Sequence, residues 1–240
     1  MLSKNEVKYI QSLCHKKQRN ETGLFIVEGV KLVDELLKSN FKVVKLYALS
    51  SWLQQNIQYQ FITTEVEPFE LEKISTLQTP QQVIAIVQQA NTNAISSEWS
   101  GITLCLDGIQ DPGNLGTIIR IADWFGIQQI ICSDNTVEIY NPKVIQSTMG
   151  SFLRVRVMYT NLYTFLTETK LPIYGALLQG KNVFEIEKPS QAILVIGSEG
   201  KGISPEILPF IQHPITIPKK GGAESLNAAV ATGILAAFFA

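Results

Sequence analysis

ITLCLDGIQDPGNLG, residues 102 to 116, is a near-continuous apolar run that breaks into a turn marked by glycine and proline and then opens a helical pattern. The same order recurs downstream. IQQIIC (127 to 132), LPIYGALL (171 to 178), AILVIG (192 to 197) and PITIP (214 to 218) are short apolar runs separated by helical patterns. Strands that are apolar on both faces belong to a parallel sheet with helices on both faces, an α/β fold. Three of these strands lead directly into glycine-rich or polar loops: DGIQDPGNLG after Leu106, GSEGKG after Ile196 and PKKGGAESLN after Ile217. In open parallel sheets ligands sit beyond the carboxyl ends of the strands, so the three loops are expected to converge on one site.

Upstream, the chain reads as a smaller α/β unit. A helix is expected around 3 to 13, a strand at LFIVE (24 to 28), a helix from Val30 to Leu37 and a strand at VVKLYAL (43 to 49). QVIAIV (82 to 87) follows a turn at Thr79-Pro80 as a further strand. QANTNAISSEWSG (89 to 101) is polar and without periodicity, which marks a linker. The expected organisation is a small N-terminal α/β domain over 1–88, a linker over 89–101 and a larger α/β domain over 102–240.

The 240 residues carry 20 basic and 21 acidic side chains, a formal net charge of -1, which excludes an indiscriminate polycation. Charge is uneven, however: Lys4, Lys8, Lys16, Lys17 and Arg19 stand against Glu6 alone in the first 20 residues, a local excess suited to phosphates or to a solvated helix. Cys14, Cys105 and Cys132 are far apart, and neither His15 nor His213 has a partner at metal-ligand spacing. No disulfide framework and no metal site is expected, and a reducing, cytoplasmic setting fits. MLSKNEVKYIQ lacks the apolar segment of a secretory signal. The apolar run from Leu226 onward falls short of the ~20 residues of a membrane helix and reads as a buried helix containing Asn227.

GSEGKG has its glycines in the order G-x-x-G-x-G after a late strand, which is not the dinucleotide fingerprint, and GALLQGKN (175 to 182) ends in Asn182 where a phosphate loop needs a hydroxyl. Asn114 lies near the start of the helix in DPGNLGTIIRIADWFGI (111 to 127). Arg120 lies one to two turns further in, where its side chain can point back toward the strand ends or simply meet solvent. Glu199 and Glu224 sit in glycine-flanked loops as candidate anchors or caps. Asn227, an amide within an apolar helix, needs specific partners if buried.

NLGTIIRIADWFG, VIQSTMGSFLRVRV, and IGSEGKGIS followed by ITIPKKGGAESLNAAVA resemble the three motifs of the SpoU/TrmH RNA ribose methyltransferases of the SPOUT superfamily, in the same order. RNETGLFIVEGVKLVDELL (19 to 37) with TPQQVIAIV (79 to 87) looks like the small RNA substrate-binding domain that many members carry. The resemblance implies a parallel sheet whose C-terminal segment forms a deep trefoil knot and a homodimer. It also implies S-adenosyl-L-methionine as methyl donor and methylation of an RNA ribose 2′-hydroxyl, in ribosomal RNA more than transfer RNA. Carried over by motif, the catalytic residues are Asn114, Arg120, Glu199, Ser225 and Asn227, and the donor contacts are Gly197, Ile217, Leu226 and Ala176. Two positions depart from the pattern: Ala228-Ala229 replace a hydroxyl-rich ending, and Arg156, beside Arg154, stands where a proline is common. The rival readings are an RNA-binding assembly factor without catalysis, against which the intact polar set speaks, and a nucleotide-binding enzyme unrelated to RNA, disfavoured by the missing phosphate-loop signatures.

Overall fold

The computed structural model describes residues 1–90 and 101–239, so the expected linker lies outside the described residues apart from its ends. Along the chain run α1 (Lys4–Ser12), α2 (Lys16–Thr22), β1 (Leu24–Glu28), α3 (Val30–Leu37), β2 (Val43–Ala48), α4 (Ser50–Gln55), β3 (Thr63–Glu65), α5 (Pro68–Ile74) and β4 (Val83–Gln88). There follow β5 (Ile102–Asp107), α6 (Pro112–Trp124), β6 (Gln129–Cys132), α7 (Pro142–Thr148), β7 (Arg156–Tyr159), α8 (Leu162–Glu168), β8 (Ile173–Asn182), β9 (Ala192–Gly197), β10 (His213–Thr216) and α9 (Ala228–Phe239). The described residues pack into two compact units, the first 1–90 with Tyr140–Leu153, the second 101–139 with 154–239.

The first unit is built on a sheet in the order β1-β4-β2-β3, with β4 antiparallel to both neighbours and β3 parallel to β2. Phe25 to Glu28 are all buried, which is why LFIVE reads as a continuous apolar strand. One side of the core joins Ile26, Tyr47, Ile84 and Ile86 to Ile10 and Leu13 from the α1 region and to Leu71 and Ile74 of α5. The helix starts are written in the sequence: Ser3 accepts the Glu6 N–H at 3.1 Å, and Glu67 with Glu70 forms a capping box around Pro68. The α7 segment belongs here too. Tyr140 and Phe152 flank Phe25 with ring centroids 4.5 and 6.0 Å away, and Phe152 also meets Phe41 at 5.6 Å. Met149 ends α7 in the left-handed conformation (φ 51°), followed by Gly150 at φ 94°, and a Cβ on Gly150 would lie 2.6 Å from Glu35 Oε2.

One expectation in this unit is corrected. Arg19 is 2% exposed and donates from Nη1 to the Leu13 carbonyl at 2.9 Å, so it ties the α1–α2 turn and is not presented to phosphate. KKQRNET, the sequence of α2, has no apolar stripe to announce a helix, and its one buried side chain is a cation.

The second unit holds a sheet in the order β10-β8-β9-β5-β6-β7, every pairing parallel. Cys105, Ile131, Met158, Ile173, Ile193 and Val195 bury one face against Leu162, Phe165 and Leu166 of α8 and against Ile203 and Ile207. Their alternating neighbours Leu104, Leu106, Ile130, Cys132, Leu194 and Ile196 are buried as well, so the other face is also covered. α6 and α9 pack side by side, and α9 also touches β9. IQQIIC yields a strand only from Gln129 because Gly126, at φ 70°, ends the turn after α6 and Ile127 N–H bonds back to the Ala122 carbonyl at 2.8 Å. Pairing between β10 and β8 jumps: Pro214 faces Gly175, whereas Ile215 faces Lys181. Among the described residues no helix is long and apolar enough to cross a membrane.

Candidate active site

Asp111 caps α6, its side chain accepting the Asn114 N–H at 2.8 Å, and Pro112 occupies the first helical position, where its missing N–H costs nothing. This fixes Asn114 in the first turn, at the end of the loop that leaves β5. That loop is itself held from below: Ser133 Oγ, just past β6, accepts the Gly108 N–H at 2.8 Å and lies 3.0 Å from Thr136 Oγ1.

The second loop leaves β9 at Gly197. A Cβ there would lie 2.1 Å from the Gly202 carbonyl carbon and 2.2 Å from the Ile203 nitrogen, so only glycine allows the chain to fold back on itself. Ser198 and Gly202 close the turn with reciprocal backbone bonds of 3.1 and 2.8 Å. Glu199 is thereby held at the tip.

The third loop runs from Ile217 after β10 to Asn227. Contrary to the expectation from sequence, Asn227 is not inside α9 but just before it: its Oδ1 accepts the Ala229 and Val230 N–H groups at 3.0 and 3.2 Å, as an N-cap does. Its Nδ2 donates to Asn114 Oδ1 at 2.9 Å and to Glu199 Oε1 at 2.5 Å. Asn114 Nδ2 in turn donates to the same Glu199 oxygen at 2.6 Å, and the Ala228 N–H adds a longer contact of 3.3 Å. Three loops from three strands thus meet in one hydrogen-bonded trio, Asn114–Glu199–Asn227, as the convergence argument predicts. In it Glu199 Oε1 is crowded with donors, while Glu199 Oε2 has no partner among the described residues.

The remaining candidates are arranged less tightly. Arg120 is exposed on α6 and Ser225 exposed in the third loop, and among the described residues the side chain of neither makes a hydrogen bond. Gly197 ends β9; Ile217 follows β10; Leu226 precedes Asn227 and is 44% exposed. Ala176 follows Gly175, which pairs with Val195 two residues before the end of β9. None of the backbone N–H groups of residues 219–226 donates to another backbone group among the described residues. The third loop therefore offers a run of unengaged amides beside the trio, a lining suited to a polar ligand. Arg154 binds Asp123 of α6 through Nε at 2.9 Å and Nη2 at 2.8 Å, which uses it structurally, whereas Arg156 is exposed at the start of β7. Sequence reading did not single out Asp111 or Asp107. The signal for Asp111 was present in Asp-Pro ahead of an apolar helix.

Comparison with known proteins adds to this geometry. Residues 101–237 match the SpoU rRNA Methylase family, and residues 4–85 match the MRM3-like substrate binding domain. The 23S rRNA (guanosine(2553)-2′-O)-methyltransferase RlmP of Bacillus subtilis (strain 168) is 33% identical over 97% of this chain and 95% of its own. The 23S rRNA (uridine(2479)-2′-O)-methyltransferase of Streptomyces viridochromogenes is 27% identical over 93% of this chain and 85% of its own. The crystal structure of an AdoMet-bound rRNA methyltransferase from Sinorhizobium meliloti superposes with a TM-score of 0.89 at 30% identity, covering 99% of this chain and 95% of that one.

Proposed function

Because the chain belongs to the SpoU rRNA methylase family, we propose that it transfers a methyl group from S-adenosylmethionine to the 2′-hydroxyl of a ribose in ribosomal RNA. The observation that carries this reading is the Asn114–Glu199–Asn227 trio at the carboxyl ends of parallel strands. When bound, the donor supplies a methyl group on a sulfonium, ready for in-line attack by an oxygen. What the chain supplies is position. The unengaged amides of the third loop, with Gly197, Ile217, Leu226 and Ala176, hold the donor, and the trio keeps the second and third loops in register with α6.

The ribose hydroxyl is a very weak acid, so its proton must leave as the bond forms. A protonated guanidinium has no acceptor and cannot take it. Arg120, exposed and without a carboxylate partner, clamps the target phosphate and stabilises the developing alkoxide, and the proton passes to phosphate or water. Ser225, exposed in the third loop, meets the RNA at the same place. The names of the relatives above specify a guanosine and a uridine, so the base is not fixed by membership of the family. That choice falls to residues 1–88, whose match to a substrate-binding domain supports an RNA grip.

A homodimer fits the surface: Trp124 on α6 is 84% exposed and Val230 on α9 51% exposed, two large apolar groups on neighbouring helices that a second copy would cover. The family also supports a trefoil knot in the C-terminal segment, and the free thiols of Cys14, Cys105 and Cys132 suit a reducing cytoplasm. The test is transfer of radiolabel from the donor to undermethylated ribosomal RNA and to transfer RNA, followed by mapping. Label is expected on one ribose of ribosomal RNA. Donor binding with no transfer to either RNA would favour an assembly factor, and an unchanged single-turnover rate in Arg120→Ala would remove Arg120 from the mechanism.

A further inference from the structure

Asp107 is the last residue of β5, is 6% exposed, and has no cationic side chain paired with it among the described residues. Its Oδ2 accepts the Ser204 N–H at 2.7 Å. A carboxamide would accept that bond equally well without burying a charge, and an unpaired buried carboxylate is costly. The hydrogen bond therefore explains the side chain's shape but not its charge. Two further observations locate a use for the charge. Asp107 pairs in register with Gly197 on the adjacent strand, at the carboxyl ends where the donor loops begin. The Ser204 Oγ beside it is sealed from solvent and has no hydrogen-bond partner among the described residues, so this spot retains unsatisfied polar capacity. Glu199, the carboxylate of the second loop, is exposed and its Oε1 is already taken by three N–H donors.

The donor of the reaction proposed above carries one positive charge more than the demethylated product, because transfer turns a sulfonium into a neutral thioether. We propose that the Asp107 carboxylate selects the sulfonium donor over the thioether product by charge, so that methyl transfer itself removes the attraction and releases the product. This rests on the methyl-transfer reading. In this role Asp107 favours the donor electrostatically and takes no part in moving the proton.

The experiment is calorimetric titration of the full chain with S-adenosylmethionine and with S-adenosylhomocysteine, in the wild type and in Asp107→Asn. Asparagine keeps the acceptor for Ser204 and loses the charge. The expected result is a rise of about tenfold in the donor Kd with the product Kd nearly unchanged. Equal shifts for both ligands, or none, would overturn the proposal. If Asp107→Asn does not fold, the wild type decides: it must bind the cationic donor more tightly than the neutral product, and equal affinities or a preference for the product count against selection by charge. A wild type that binds neither ligand refutes the methyl-transfer reading instead.

Discussion

Asn227 spends both N–H bonds and both lone pairs inside the protein, on Asn114, Glu199, Ala229 and Val230. It has nothing left to offer a substrate, so it positions; Asn114 and Glu199, each with capacity to spare, are the members that can reach one. Asn227→Asp keeps the helix cap but sets a carboxylate against Glu199, whereas Asn227→Ala removes the cap, worth about 0.5–2 kcal/mol. Methylation is therefore expected to fall in both, and thermal melting to fall through loss of the cap only in Asn227→Ala; a fully active Asn227→Asp would show that the trio's geometry is dispensable. Gly197→Ala must push the Gly202–Ile203 backbone aside and with it Glu199. A loss of about 1–3 kcal/mol from overpacking, with weaker donor binding, is expected by calorimetry. Asn227 was recognisable in the sequence as an amide needing partners, but its cap position was not, because Leu226 ahead of it extends the apolar run beyond the start of the helix.

At the scale of the element, α6 depends on its N-cap. Asp111→Ala frees the Asn114 N–H and lets the first turn fray, which costs about 0.5–2 kcal/mol and displaces Asn114 from Glu199, so chemical denaturation and turnover should worsen together. Removing the exposed Arg154–Asp123 pair further along should cost only about 0–1 kcal/mol and leave turnover intact. In the first unit, the Leu2 and Glu67 N–H groups on Glu70 hold its carboxyl below the usual carboxylate range. A depressed pKa contributes stability above the unfolded value near 4.3, and that stability is lost as pH falls through the folded value. Acid melts of Glu70→Gln should accordingly converge on the wild type below that window and lie under it at neutral pH. The long strands and α3, β1 and α6 were legible because periodicity and burial coincide there. α2, α4 and β3 were not, since short elements with few apolar positions are fixed by tertiary contacts and not by local pattern.

For the whole molecule, the packing of Tyr140 and Phe152 against Phe25 changes how the division of labour can be tested. Deleting residues 1–88 would strip the partners from those rings, so loss of donor binding in such a truncation says little about RNA. Charge reversal at Lys4, Lys8, Lys16 and Lys17 leaves the core alone, because Arg19, the buried member of the cluster, is untouched. Filter binding at several salt concentrations should show weaker RNA affinity and a shallower salt slope, with donor affinity unchanged; equal loss of both would refute an RNA grip in the first unit. The meeting of three loops could be read from the order of strands and loops, but the placement of residues 140–153 could not, since aromatic pairing across the chain leaves no periodic trace. The jump in pairing between β10 and β8 leads to a different kind of measurement. Among the described residues, 176–180 have no ladder partner on either neighbouring strand, between paired Gly175 and paired Lys181. Their amides should exchange with solvent deuterium well before those of Ile173–Gly175, and slowing of that exchange on adding donor would time, residue by residue, the tightening of a sheet in which the strand next to the edge is left partly unfastened.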